Sequence, residues 1–320
     1  MATYRNGSAG GDVARIQQAL KDAGFYQGEP DGVFKDQTEA AVKGFQASVG
    51  LAADGIVGPA TWSKLFASSA APQPLGDLDT RCLALTGSFE TGRLAPNCFA
   101  AMTGNFDGQG MSFGALQWNF GQGTLQPLLK EMLAKHPEVA AQIFGGYLDQ
   151  LRQASNGVKA DALSFAAAIQ DPARKNIIDP WKRMFTSLGL TPEFQAIEVN
   201  GAAAYAGRGA GLCQDYGLWS ERGRALMFDI SVQNGSIPDK VRELILADFA
   251  KLPQSLSPED AELERMRIVA NRRAEAANPK FVEDVRTRKL CIAEGKGTVH
   301  GIAYDLAGQF GLALRKAAGA

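Results

Sequence analysis

Histidine is almost missing from this chain: 320 residues hold only His136 and His300. Zinc hydrolases draw on two or three histidine ligands at short spacing, and neither HExxH nor a paired CxxC occurs, so a metal-dependent amidase or peptidase is not expected. No metal and no cofactor is implied. Charge of either sign is not in excess. Lys and Arg total 33 against 34 for Asp and Glu, a net charge of −1, which gives no electrostatic reason for nucleic acid or an anionic membrane as partner. Long apolar runs are missing too: no stretch of about 18 apolar residues reads as a membrane span. The opening MATYRNGSAGG lacks the apolar centre of a secretory leader, so synthesis in the cytoplasm without a leader is the expectation. Cysteine is sparse. Cys82, Cys98, Cys213 and Cys291 lie far apart in a chain large enough to fold without staples, which favours reduced, buried thiols.

What remains is a globular composition, 45% hydrophobic and 21% charged, over a length that favours two domains. The first carries an internal repeat. DGVFKDQT, from Asp31, is echoed by DGIVGPAT, from Asp54; each Asp-Gly reads as a tight turn, and Thr38 and Thr61 read as caps of the helices that follow. Val13, Ile16, Gln17 and Leu20 fall at helical spacing, as do Ala41, Val42 and Phe45, and Trp62, Leu65 and Phe66. A small three-helix bundle follows. These residues, with Gly24, Gly32, Gln46, Leu51, Gly55 and Gly58, resemble the peptidoglycan-binding domain found in many wall hydrolases. Lys35-Asp36 departs from that pattern, which usually has glycine there. The resemblance implies a wall-binding role for residues 1–66, with the Asp31 and Asp54 loops as candidate glycan contacts. ASSAAPQPLG reads as a linker over 67–76, and a second domain is expected over 77–320.

Within that second domain, Leu78, Cys82, Leu85 and Phe89 predict an amphipathic helix opened by Asp77 or Asp79 and closed at Gly92, with Glu90 in its last turn. The negative end of the helix dipole and the neighbouring Phe89 both favour a protonated carboxyl, the form that donates a proton to a glycosidic oxygen. Asn105–Gly110 is a turn cluster carrying Asp107, and MSFGALQW predicts a short strand or hairpin. Two carboxylates, one at a helix end and one on a glycine-rich sheet edge, suit general acid/base cleavage of a glycoside.

The segment is similar to the chitosanase-like branch of the lysozyme superfamily, in which the acid glutamate precedes a DGRG(I/Y)T(F/A)G block. The resemblance implies a mainly α (α+β) fold, a lysozyme-like helical domain with a small β-hairpin or sheet. It implies Glu90 as acid, Asp107 in DGQGMSFG as base and Ser112 as the hydroxyl that orients water. GLWSERGRALMFDISVQNG resembles a second block of that family, with Phe228, Asp229, Gln233, Asn234 and Gly235 at matching positions. Gln109 stands where arginine is usual, and Asn234 where histidine is usual. Gln109, Gln117, Trp118, Asp229, Asn234 and His300 are the substrate-binding candidates. One of Arg267, Arg272 and Arg273 is a candidate partner of Glu90 or Asp107. Asp215 and Tyr216 are further cleft candidates, and Phe120 and Trp219 further sugar-stacking ones.

The reading is a modular peptidoglycan hydrolase of endolysin type, cleaving a muramyl β-1,4 linkage with inversion. It is expected as a monomer made in the host cytoplasm and acting on the wall after release. Lytic transglycosylases, compared through Glu90-Thr91 and Gly114-Ala115-Leu116-Gln117, and true chitosanases stay open as alternatives. So do a stem-peptide peptidase using Cys98 and His300 and a wall-docking protein without activity.

Overall fold

A computed structural model describes residues 3–8, 11–67, 76–173 and 175–317. The chain divides into two compact units, Met1–Gln73 and Pro74–Ala320. Most of the expected linker, residues 68–75, lies outside the described residues.

The first unit is built from α1 (Gly11–Asp22), α2 (Asp36–Ser48) and α3 (Pro59–Ala67). Val13, Ile16, Leu20, Phe34, Val42, Phe45, Val57 and Leu65 form its core. The repeat has a physical cause that the helical periodicity hides: a buried glutamine stands at the centre of each copy. Gln17 Nε2 donates to Asp31 Oδ1 (2.8 Å), the Val33 carbonyl (3.1 Å) and Thr38 Oγ1 (3.0 Å), and its Oε1 accepts from Gly32 N–H (2.8 Å). Gln46 repeats each bond with Asp54 (2.7 Å), Ile56 (3.0 Å), Thr61 (2.9 Å) and Gly55 (2.9 Å). Thr38 and Thr61 are therefore not helix caps. Each sits inside its helix and is buried, because its hydroxyl is an acceptor for the glutamine.

The second unit is mostly helical with two small antiparallel sheets. Its first helix, α4 (Leu78–Thr91), is capped by Asp77, which accepts from Thr80 N–H (2.8 Å), and ends at Gly92 with φ 66°. Three two-residue strands follow: β1 (Met102–Thr103), β2 (Ser112–Phe113) and β3 (Trp118–Asn119), with Thr103 opposite Ser112 and Ser112 opposite Asn119. Five helices, α5 (Leu125–Lys135), α6 (Pro137–Phe144), α7 (Leu148–Asn156), α8 (Lys159–Ala168) and α9 (Trp181–Gly189), enclose an aromatic core around Phe113, Phe144, Trp181 and Phe185. Then come α10 (Pro192–Gly201), α11 (Ala203–Tyr216), α12 (Glu221–Gln233), α13 (Asp239–Phe249), α14 (Pro258–Glu275) and α15 (Val282–Glu294). Thr191 and Ser257 cap α10 and α14, each followed by proline at the first helical position, as their sequences indicate. The hairpin β4 (Lys296–Val299) and β5 (Ile302–Asp305) and a short α16 (Leu306–Phe310) close the unit.

Three contacts fix the frame around α4. Gly87 admits the β2–β3 turn so closely that a Cβ there would lie 2.7 Å from the Ala115 side chain. Buried Arg81 bridges to Glu221 of α12 (2.8 Å), whose second oxygen accepts from Arg315 (2.9 Å). Tyr304 of β5 packs on Phe89 with ring centroids 4.7 Å apart, and its hydroxyl donates to the Ser88 carbonyl.

Candidate active site

Glu90 emerges from the last turn of α4 as the first exposed residue after nine consecutive buried ones. Its partner is Arg288 of α15, with Nη2 2.8 Å from Glu90 Oε1. Arg288 is itself buried; it lies over the Phe89 ring at 5.0 Å and holds Asp229 of α12 through Nε (3.0 Å) and Nη2 (2.6 Å). Asp229 also accepts from Lys289 Nζ (2.5 Å) and Thr86 Oγ1 (3.0 Å), and Lys289 continues to Gln233 Oε1 (2.6 Å). Burial pushes the Asp229 carboxyl up, but the Arg288 and Lys289 charges outweigh it and hold the group at about 2. Burial brings the Lys289 ammonium down to about 8 against the pull of Asp229. The network gives Glu90 a fixed orientation. Arg288 is anchored from behind, so it cannot swing away from the exposed carboxylate.

Two expectations are corrected here. Asp229 is not a substrate contact: it is wholly buried, and its oxygens are taken up by Arg288, Lys289 and Thr86. The arginine facing Glu90 comes from α15, not α14. Arg267 is bound to Glu264 and Glu294, and Arg272 to Asp248 and Glu275, which leaves neither for the site.

Asp107 is exposed on the loop between β1 and β2, with Oδ1 accepting from Gln109 N–H (3.0 Å). Asn105 and Gln170 hold that loop. Asn105 Oδ1 accepts from Gly110 N–H (3.0 Å), and Gln170 Oε1 from Asn105 N–H (2.9 Å). Ser112 opens β2, half-buried, and its hydroxyl has no protein partner among the described residues. Gln109 is half-buried beside Gly121. Gln117, with φ 54°, uses its amide on its own turn: Nε2 donates to the Gly114 carbonyl (2.9 Å) and Oε1 accepts from Thr103 (2.7 Å). Trp118, Phe120 and Tyr216 are core residues, buried beyond the reach of a sugar face, while Trp219 is half-buried and Asp215 exposed. Neither Asn234 nor His300 bonds to Glu90 or Asp107. Asn234 follows α12, and His300 forms the exposed tip of the β4–β5 hairpin with Nε2 2.5 Å from Asp284 Oδ1.

At the β1–β2 loop runs a cleft of about 310 Å³, lined by Arg93, Met102, Thr103, Gly104, Phe106 and Lys182 among others. Arg93 stands three residues after Glu90, beyond the Gly92 cap, and Phe106 precedes Asp107, although neither carboxylate lines the cleft itself. Phe106 is 68% exposed, an apolar ring left in water at the loop tip. Glu198 of α10 is a further component: it is fully buried, accepts from Ala115 N–H (2.8 Å), and is pushed well above the carboxylate range by burial. It seats the β2–β3 turn against α4. Cys98 cannot serve as a nucleophile. Its thiol is completely buried, pushed up to about 12 by desolvation, and turned toward the Ala84 carbonyl, while the His300 ring faces Asp284. Among the described residues no cluster of three or more metal-ligating side chains exists.

Sequence reasoning missed Arg288, Lys289, Phe106 and Glu198. One signal was available: Val285, Lys289 and Ile292 share a helical stripe, and a lysine on an apolar stripe implies a buried counter-charge.

Residues 9–65 match the family model of the peptidoglycan binding domain. The chain is 51% identical over 57 residues to the N-acetylmuramoyl-L-alanine amidase CwlM of Mycobacterium tuberculosis, covering 18% of this chain and 14% of that protein. It is 41% identical over 61 residues to a spore cortex-lytic enzyme of Halalkalibacterium halodurans, 19% of this chain and 18% of that one. The chain thus spans under a fifth of the length of either relative. Among solved structures, a native chitosanase from Bacillus subtilis MY002 aligns over 73% of this chain and 98% of its own, with 16% identity and a TM-score of 0.42.

Proposed function

We propose that the protein is a peptidoglycan hydrolase in which Glu90 protonates the glycosidic oxygen and Asp107, with Ser112, activates water. The observation that carries the reading is Glu90 itself, an exposed glutamate at a helix end held by a buried arginine, three residues before the cleft-lining Arg93. A solvated surface glutamate needs no such anchor. The glycan is taken to be bacterial wall because residues 9–65 carry the peptidoglycan binding domain. The bond would be the muramyl β-1,4 linkage, cleaved with inversion by water placed between the two carboxyls. A monomeric endolysin, released from the cytoplasm to reach the wall, is the setting this activity fits.

During the cycle Arg288 stabilises the carboxylate that Glu90 becomes after giving up its proton, and Asp229 keeps Arg288 in place. Asp107, exposed and bonded only to its own loop, is free to take a proton from water. Clearing of purified walls by Glu90→Gln tests the proposal. The variant is expected to lose lysis while still sedimenting with walls; undiminished clearing would contradict it.

A further inference from the structure

A second cleft, of about 360 Å³, opens between the end of α12, the end of α14 and the start of α15, lined by Gln233, Asn234, Arg273, Asn278, Phe281 and Asp284 among others. Arg273 is its unusual member. The residue is 8% exposed, yet Nε and Nη1 are buried without a partner, and the whole guanidinium has no hydrogen bond or ion pair among the described residues. Buried cations are normally paired, because water solvates a charge far better than a protein interior does. The neighbouring charges do not compensate: Asp229 is already shared by Arg288 and Lys289, and Asp284 is bonded to His300. Burial alone acts on Arg273, lowering its guanidinium from the ordinary range. Asn234 lines the same cleft, with its Oδ1 turned inward and sealed from solvent. Phe281, 56% exposed, supplies an apolar wall.

From this set we infer that the cleft is a subsite for a carboxylate carried on a sugar, with Arg273 Nη2, the guanidinium nitrogen not sealed from solvent, taking the carboxylate. Resting on the wall-hydrolase reading, the inference adds to it a place that selects muramic acid residues, which carry a lactyl carboxylate or a stem peptide, over the cationic glucosamine of chitosan. A guanidinium repels the latter. The place suits the task, since Asp284 and Arg288 are one turn apart on α15, about 5–6 Å, so the cleft adjoins the arginine that holds Glu90.

Saturation-transfer NMR on the full chain tests this without any turnover, using N-acetylmuramic acid, N-acetylglucosamine and a muramyl dipeptide as probes. The wild type is expected to bind a muramyl probe in preference to N-acetylglucosamine. Preference for the free acid places the lactyl carboxylate in the cleft, and preference for the dipeptide places the stem peptide there. Arg273→Gln should weaken the preferred probe about tenfold or more, the loss of a charged hydrogen bond, and Arg273→Lys should restore part of it. Phe281→Ala, at an exposed position that leaves the fold intact, should weaken the same probe. Equal binding of all three sugars by the wild type, or an unchanged preference in folded Arg273→Gln, would overturn the inference. Should the preference hold while the wild type releases nothing from walls, the subsite stands and the hydrolase reading fails.

Discussion

Glu90 and Arg288 form a pair whose value lies in geometry. Arg288 holds Asp229 through Nε and Nη2 and Glu90 through the same planar fork, and a lysine ammonium, a point charge on a flexible stem, does not reproduce that fixed geometry. Arg288→Lys should therefore lower kcat on wall glycan by about 10²-fold, the penalty of a misplaced catalytic group, with little change in KM. Steady-state kinetics would show this, and a loss confined to KM would mean that Arg288 binds substrate instead. Glu198 makes a different prediction, one of pH. Its carboxyl is raised in the folded chain, so the protein holds a proton there that the unfolded chain releases above the ordinary glutamate range. Stability from this group is complete below that range and declines as pH rises. Glu198→Gln keeps an acceptor for Ala115 N–H and removes the titration, so it should raise the melting temperature at pH 8 by about 2–4 °C and leave pH 4 nearly unchanged. Equal shifts at both pH values, read by calorimetry, would argue against a buried proton.

At the scale of elements, α4 and the β2–β3 turn are pressed together at Gly87. Gly87→Ala forces a Cβ against Ala115, and the expected cost is about 1–3 kcal/mol with a drop in kcat larger than the change in stability explains. Chemical denaturation and kinetics on one preparation separate the two; unchanged values of both would show that the contact is slack. In the first unit, Gln17→Ala and Gln46→Ala should each cost about 1–3 kcal/mol, because each strands several buried partners. The two predictions differ in how visible they were beforehand. The helix around Glu90 was legible, since apolar spacing, an Asp cap and a terminal Gly are local signals. The glutamine cages were not, because Gln17 and Gln46 only acquire their meaning from turns that fold back from farther along the chain. Arg288 was hidden for the same reason: its two carboxylates stand 59 and 198 positions earlier, and no local pattern joins them.

For the molecule as a whole, the account requires two activities in one chain: holding the wall and cutting its glycan. Tethering raises the local concentration of enzyme on an insoluble polymer and adds nothing on a soluble one. Gln46→Ala, which weakens the binding module alone, should slow clearing of intact walls while leaving the rate on soluble glycan fragments unchanged. Equal losses on both would mean that the module does more than tether. The central claim is narrower, that water cleaves a wall glycan between Glu90 and Asp107. Mass spectrometry of walls digested in ¹⁸O-water reads it directly. The account predicts new reducing ends carrying one ¹⁸O, lost in Glu90→Gln and in Asp107→Asn; anhydro ends without label, or cut peptides on intact glycan, would contradict it.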